Sequence, residues 1–145
     1  QKPAMIQADN AVIKRQTGEG IFTGHVRIKQ GTTLLKCQKL HAYYHGHHLV
    51  KAIAYGNPAY YHTIPKPNRP LLEAWAKQLV YSPQTNQVLL KQNAKIKQNH
   101  NIFKSPWIQY NAKTETVTTK HKNKQQTVIT LNPDSAAKQH NPRKN

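Results

Sequence analysis

Acidic residues are nearly missing from this chain. Asp9, Glu19, Glu73, Glu115 and Asp134 stand against 22 Lys and Arg, which leaves a formal charge of +17 over 145 residues. Such an excess implies an anionic partner: nucleic acid, a membrane surface or a phosphorylated ligand. Five scattered carboxylates, three serines and no Gly-x-Ser-x-Gly, Walker or His-Glu-x-x-His pattern leave no constellation for acid–base or nucleophilic work. The sequence therefore points away from an enzyme, and it asks for no cofactor. Cys37 is the single cysteine, so no intrachain disulfide can form and the redox compartment stays open. No run of 18 apolar residues exists to span a membrane. All six glycines precede residue 57, so turns in the later half must use Asn or Ser. Gln1 stands where Met would, as expected after removal of a leader or after trimming of the chain, of which the first is preferred.

Only 37% of the chain is hydrophobic, with a mean hydropathy of −0.82, so the core must be thin. The length is one domain's worth. What is present is alternation. In residues 22–44, Phe22, Gly24, Val26 and Ile28 are apolar or small, while Thr23, His25, Arg27 and Lys29 fall between them. A period of two puts the two sets on opposite faces of a strand. Gly31 supplies a turn, and Leu34, Leu40, Ala42 and Tyr44 continue the even positions. This predicts an antiparallel hairpin with one greasy and one cationic face.

The hairpin recurs 68 residues later. Ile28-Lys29-Gln30 maps onto Ile96-Lys97-Gln98, Leu34-Leu35-Lys36 onto Ile102-Phe103-Lys104, and Leu40 onto Ile108, without a gap. Two similar β units that stack rather than fold separately follow from this.

In residues 4–13 the alternation changes phase between Ala8 and Ala11, which suggests a bulge or bend. His45-Gly46-His47-His48 is a turn, and the next strand is expected to end at Gly56-Asn57-Pro58, with 59–63 a separate short strand. Three prolines in 64–70 predict a loop between the halves. Residues 71–81 fit helical spacing and strand parity alike, and the repeat favours strand. From Asn132 the apolar period stops, so 1–132 is read as one domain and 133–145 as a basic disordered tail.

With these pieces placed, the chain resembles the LptA family of periplasmic lipopolysaccharide transport proteins (OstA-like fold). The resemblance is carried, in the family's order, by FTGHVRIKQG (22–31), KLHAYY (39–44), AYGNPAYY (54–61), AKQLVYS (76–82), VLLKQNAKIKQ (88–98), IQYNAKTETV (108–117) and TVITLNP (127–133). The chain departs from the family's Gly-Asn before the valine, having Gly24-His25 in one copy and Gln92-Asn93 in the other. The resemblance implies a bent antiparallel β-jellyroll whose slot holds the acyl chains of lipopolysaccharide. It also implies a non-catalytic bridge in the periplasm, joined end to end between inner- and outer-membrane complexes and driven by an ATPase elsewhere.

On this reading Ile6, Phe22, Val26, Ile28, Leu34, Leu40, Leu90, Ile96, Ile102 and Ile108 line an apolar groove, and Lys29, Lys36, Lys95 and Lys97 suit the phosphates of lipid A. Alternating strands also build closed sandwich cores, and from pattern alone that bland outcome stays open. Strands at the two ends of the chain, 4–13 and 126–131, could pair head to tail between copies or with other bridge components. His45, His47 and His48 lack the ligand set of a metal site and read as a solvated turn. Cys37 reads as a small thiol on the polar face. Interleaved aromatics and charge admit a nucleic-acid groove as the alternative, but the charge is spread along the chain and no RNP-type motif occurs, so no nucleic acid is expected.

Overall fold

The computed structural model describes residues 2–133, and the regular elements among them are all strands. In chain order these are β1 (Met5–Gln7), β2 (Asn10–Lys14), β3 (Glu19–Gln30), β4 (Thr33–His45), β5 (His48–Thr63), β6 (Leu72–Ser82), β7 (Gln87–Gln98), β8 (Asn101–Asn111), β9 (Thr116–Lys120) and β10 (Val128–Thr130). Strands β3 to β8 form an antiparallel meander. At one edge β1 and β2 both pair with β3, and at the other β9 and β10 both pair with β8. The sheet is therefore one open antiparallel sheet, as an all-β jellyroll requires. The tail expected at 133–145 lies, beyond Pro133, outside the described residues.

Parity decides the ambiguous stretch. Residues 72–82 are strand, with Ala74, Ala76, Leu79 and Tyr81 buried, and the rival helical spacing is not used. The proline-rich segment 64–71 connects β5 to β6, and Gly31 turns β3 into β4 with φ +60°.

Every long strand pair slips register near its middle, while β4–β5 slips a second time between Tyr43 and Tyr44, and the middle slips line up across the sheet. They fall between Thr23 and Val26, Lys36 and Lys39, Tyr55 and Ala59, Trp75 and Gln78, and Lys91 and Ala94. The residues there are those that bulges favour. Gly24, His25, Gln92 and Asn93 all take left-handed backbone. At Gly24 a Cβ would collide with the Asp9 carboxylate, and at Gly56 one would lie 2.7 Å from the Ala59 nitrogen. Pro106, which has no N–H to offer a ladder, sits on the same line in β8. The edge strands break there too, with β1 giving way to β2 around Ala8 and Asp9, where the Asp9 N–H donates to the Gly24 carbonyl.

This seam folds the sheet into two arms. The first carries 19–23, 39–45, 48–55, 78–82, 87–91 and 107–111; the second carries 26–30, 33–37, 59–63, 72–76, 94–98 and 101–105. Tyr81 measures the fold. Leu72 of β6 lies in the row of Thr63, and Thr63 in turn meets Thr33, the partner of Gln30. A straight strand would put Tyr81 about 30 Å from that row. Instead its hydroxyl donates to Gln30 Oε1 at 2.8 Å. The arms therefore face each other, and their inner faces make the core.

The seam also corrects three expectations. The Gly56-Asn57-Pro58 segment is not a turn between two strands but a bulge inside β5, which runs on to Thr63. Leu34 pairs with Lys29 and Ile102 with Lys97, so both stand on the lysine side of the sheet and neither joins the interior cluster, although Leu34 is itself only 9% exposed. Their neighbours Leu35 and Phe103, opposite Ile28 and Ile96, point inward instead. The cause is an odd step at the seam, since Cys37 and Leu40 both face inward, as do Ser105 and Ile108, so parity does not carry from arm to arm. For the same reason Cys37 belongs to the core and not to the polar face.

Candidate functional site

The space between the arms gathers most of the apolar residues singled out in the sequence. Val26, Ile28, Leu40, Leu90, Ile96 and Ile108 are almost wholly buried there, and Phe22 is 7% exposed. Ile6, on the β1 edge, is partly buried against the same cluster. Leu35 and Phe103 complete it, and the sequence reading missed both. Near the seam the middle strands β5 and β6 present small side chains (Ala52, Ala54, Ala59, Ala74 and Ala76), with the larger Leu49, Tyr61, Leu72 and Tyr81 towards their ends. With the arms together these side chains shield one another from water. Fully burying one of the larger ones contributes roughly 1.5–3 kcal/mol.

The two arms meet at their tips, opposite the seam, and this mouth is polar. Tyr81 donates to Gln30 across it, and the Tyr61 and Tyr81 rings lie 6.2 Å apart. Thr33 and Thr63 are joined at 2.9 Å, and Gln30 Nε2 donates to the Lys2 carbonyl. Around them lies a cavity of about 290 Å³, walled by tip residues of both arms, among them Thr63, Ile64, Tyr81, Asn86 and Ala112. A second crossing lies beside it. Arg69, on the loop of the second arm, donates from Nε to Glu115 Oε1 at 2.9 Å, and Lys66 approaches Glu115 Oε2 at 3.8 Å. Glu115 belongs to the β8–β9 turn of the first arm and has φ +56°. These contacts join residues 51 and 46 positions apart, and no local pattern announces them.

Burial governs the titrating groups of the interior. It pushes the Cys37 thiol and the Tyr81 phenol each up to about 12, and Tyr61 upward as well. A thiol held protonated in this way is inert, as its packing role requires. Tyr110 is likewise pushed up to about 12, by burial first and then by the charge of Glu115. Its hydroxyl is buried without a hydrogen-bond partner among the described residues.

The outer face is cationic, and Lys29, Lys36, Lys95 and Lys97 all stand on it, remote from the interior. Two cross-strand rows flank the seam. One reads Arg27, Lys36, Tyr60, Trp75, Lys95 and Lys104; the other reads Lys39, Tyr55, Gln78, Lys91, Trp107 and Lys120. Both indoles are capped, with the Lys95 ammonium 4.7 Å from the Trp75 ring centre and Lys120 4.6 Å from that of Trp107. Those ring faces hold cations and are not free platforms for bases. His45, His47 and His48 are exposed at the β4–β5 turn. At the two edges, apolar side chains face solvent: Val12 and Ile13 on β2, Val128 and Ile129 on β10.

The arrangement matches known proteins. A family model described as "LptA/(LptD N-terminal domain) LPS transport protein" matches residues 5–116. Over 118 residues the chain is 27% identical to the lipopolysaccharide export system protein LptH of Pseudomonas aeruginosa, which covers 81% of this chain and 67% of that protein. A crystal structure of LptH, described as the LptA-homologous periplasmic component of the lipopolysaccharide transport device of P. aeruginosa, superposes with a TM-score of 0.85. That alignment has 24% identity and covers 91% of this chain and 96% of the other, and it establishes the shared fold.

Proposed function

The chain belongs to the LptA/(LptD N-terminal domain) family of lipopolysaccharide transport proteins, and from that premise we propose that it carries lipopolysaccharide in the periplasm, without catalysis, its acyl chains held between the two arms of the folded sheet. One observation supports this most: the inward residues of both arms form one continuous apolar face running from β1 across to β8. Acyl chains entering there replace contacts between the arms with contacts to lipid. Each buried CH₂ contributes roughly 0.8 kcal/mol, so several chains outweigh any polar contact in setting affinity.

Assembly follows from the edges. Among the described residues the sheet is open, and β2 and β10 each offer unpaired backbone groups with exposed apolar side chains beside them. Pairing the β1–β2 edge of one copy with the β9–β10 edge of the next is a heterologous contact, which extends rather than closes. The same edges suit sheets of other bridge components.

Mass spectrometry of lipid extracted from the protein, purified without detergent from lipopolysaccharide-producing cells, tests the reading. Lipopolysaccharide recovered in a fixed molar ratio is the expected result. Its absence, together with failure of added lipid A to bind, would contradict it.

A further inference from the structure

Arg69 and Lys66 converge on the two oxygens of a single carboxylate, that of Glu115. The two cations come from the second arm and Glu115 from the first, so these ion pairs join the arm tips across the mouth. The loop that carries the cations is stiffened by Pro65, Pro67 and Pro70, and the Arg69 N–H closes a turn onto the Lys66 carbonyl. The carboxylate, by contrast, sits on a residue in left-handed backbone, a conformation that a glutamate adopts at a cost. Tyr110 is 2% exposed, and its hydroxyl has no partner among the described residues, although it feels the charges of both Glu115 and Arg69. A buried hydroxyl without a partner among the described residues, within the field of Arg69, can donate to an added acceptor oxygen.

We infer that Arg69 and Lys66 form a phosphate-binding site for the headgroup of the lipid, and that Glu115 occupies this site in the closed protein. The inference rests on the lipid-carrying reading above and goes beyond it by naming where the headgroup is held. A phosphate monoester brings more charge than a carboxylate and three acceptor oxygens, enough for the guanidinium fork, the ammonium and the Tyr110 hydroxyl together. It therefore displaces Glu115. Displacement breaks one of the two side-chain crossings between the arm tips and leaves the Tyr81–Gln30 hydrogen bond as the other, so arrival of the headgroup loosens the mouth. The neighbouring cavity, to which the same loop and turn contribute Ile64, Pro65 and Ala112, is where the first acyl carbons enter. Glu73 and Asp9 lie elsewhere on the sheet, paired with Tyr60 and His25, and Glu19 meets His41 and Lys14 within the first arm, so none of them spans the mouth.

The test is a set of binding titrations with bisphosphorylated lipid A, enzymatically dephosphorylated lipid A and inorganic phosphate. The proteins compared are the unaltered chain, Glu115→Gln, and the double variant Arg69→Ala with Lys66→Ala. The unaltered chain should prefer the phosphorylated lipid by about tenfold, the worth of one or two hydrogen bonds between charged groups. The double variant should lose that preference while binding the dephosphorylated lipid as before. Glu115→Gln should bind the phosphorylated lipid severalfold more tightly, because the internal competitor is neutral. A preference retained by the double variant, or unchanged affinity in Glu115→Gln, would overturn the inference and leave lipid carriage intact. Inorganic phosphate binding as tightly as the lipid would assign the site to the free ion and overturn it too. If neither lipid binds the unaltered chain, the lipid-carrying reading itself fails, and that outcome is distinct from the others.

Discussion

Gln92 adopts the left-handed backbone of Gly24, φ +68° against +80°, at the equivalent place 68 residues further along the chain. Both stand where the sheet folds, one in β3 and the other in β7. A glycine meets this demand without steric penalty, whereas an L side chain is strained. Gln92→Gly should therefore stabilise the protein, by about 1 kcal/mol or a few degrees in Tm. Asn93→Gly should gain less, since asparagine tolerates that region. Thermal unfolding checks both. A lower Tm for Gln92→Gly would mean that the side chain, not the backbone, is what the fold uses there.

Truncating the interior should cost far more than truncating the exterior one residue away. Leu40 is 0% exposed and Lys39 points outward. Leu40→Ala should lose about 2–5 kcal/mol, the range for a buried leucine. Lys39→Ala should stay within about 0.5 kcal/mol of the parent. Denaturant unfolding separates the two, and equal losses would contradict the assignment of faces.

Alkaline pH should unfold the protein early. Cys37, Tyr81 and Tyr110 hold their protons up to about 12, from ordinary values of 9.0 for the thiol and 10.0 for the phenols. Folded pKa values above the unfolded ones mean that this contribution is complete below about pH 9 and lost as pH rises towards 12. Stability measured against pH should fall through that window. Alkylation of Cys37 at pH 8 should be slow in the native protein and fast in denaturant; rapid native labelling would show that the thiol is not buried as described.

The edges should behave as complementary halves. The parent should form concentration-dependent oligomers in sedimentation. Val12→Pro removes a backbone donor from the β2 edge, and Val128→Pro does so at β10. Each variant alone should stop at smaller species, and an equimolar mixture should regain a dimer through the two intact edges. A parent that stays monomeric at hundreds of micromolar would remove the filament claim.

Much of this was legible in the sequence, because period-two alternation survives within each arm. The β3–β4 hairpin, its repeat as β7–β8, the proline loop and strand β6 all follow from it. Alternation failed where the backbone bends. Alternation alone places Leu34 and Ile102 inward and passes over Leu35 and Phe103, since an odd step at the seam in β4 and β8 reverses parity between the arms. The repeat made the error twice, in register. Gly56-Asn57-Pro58 misled for a related reason, because residues that make turns also make bulges. The crossings Tyr81–Gln30 and Arg69–Glu115 left no trace in the sequence, for they exist only once the sheet has folded over.

Photo-crosslinking tests most directly that fatty chains lie between the arms. A photoreactive residue at Ile28, Leu35 or Ile96 faces inward, while one at Arg27, Leu34 or Lys95 stands on the opposite side of the same strands. The inward three should capture lipopolysaccharide and the outward three should not. The sharpest pair is Leu35 and Leu34, alike in chemistry and adjacent in sequence. Equal capture at those two positions would contradict the account.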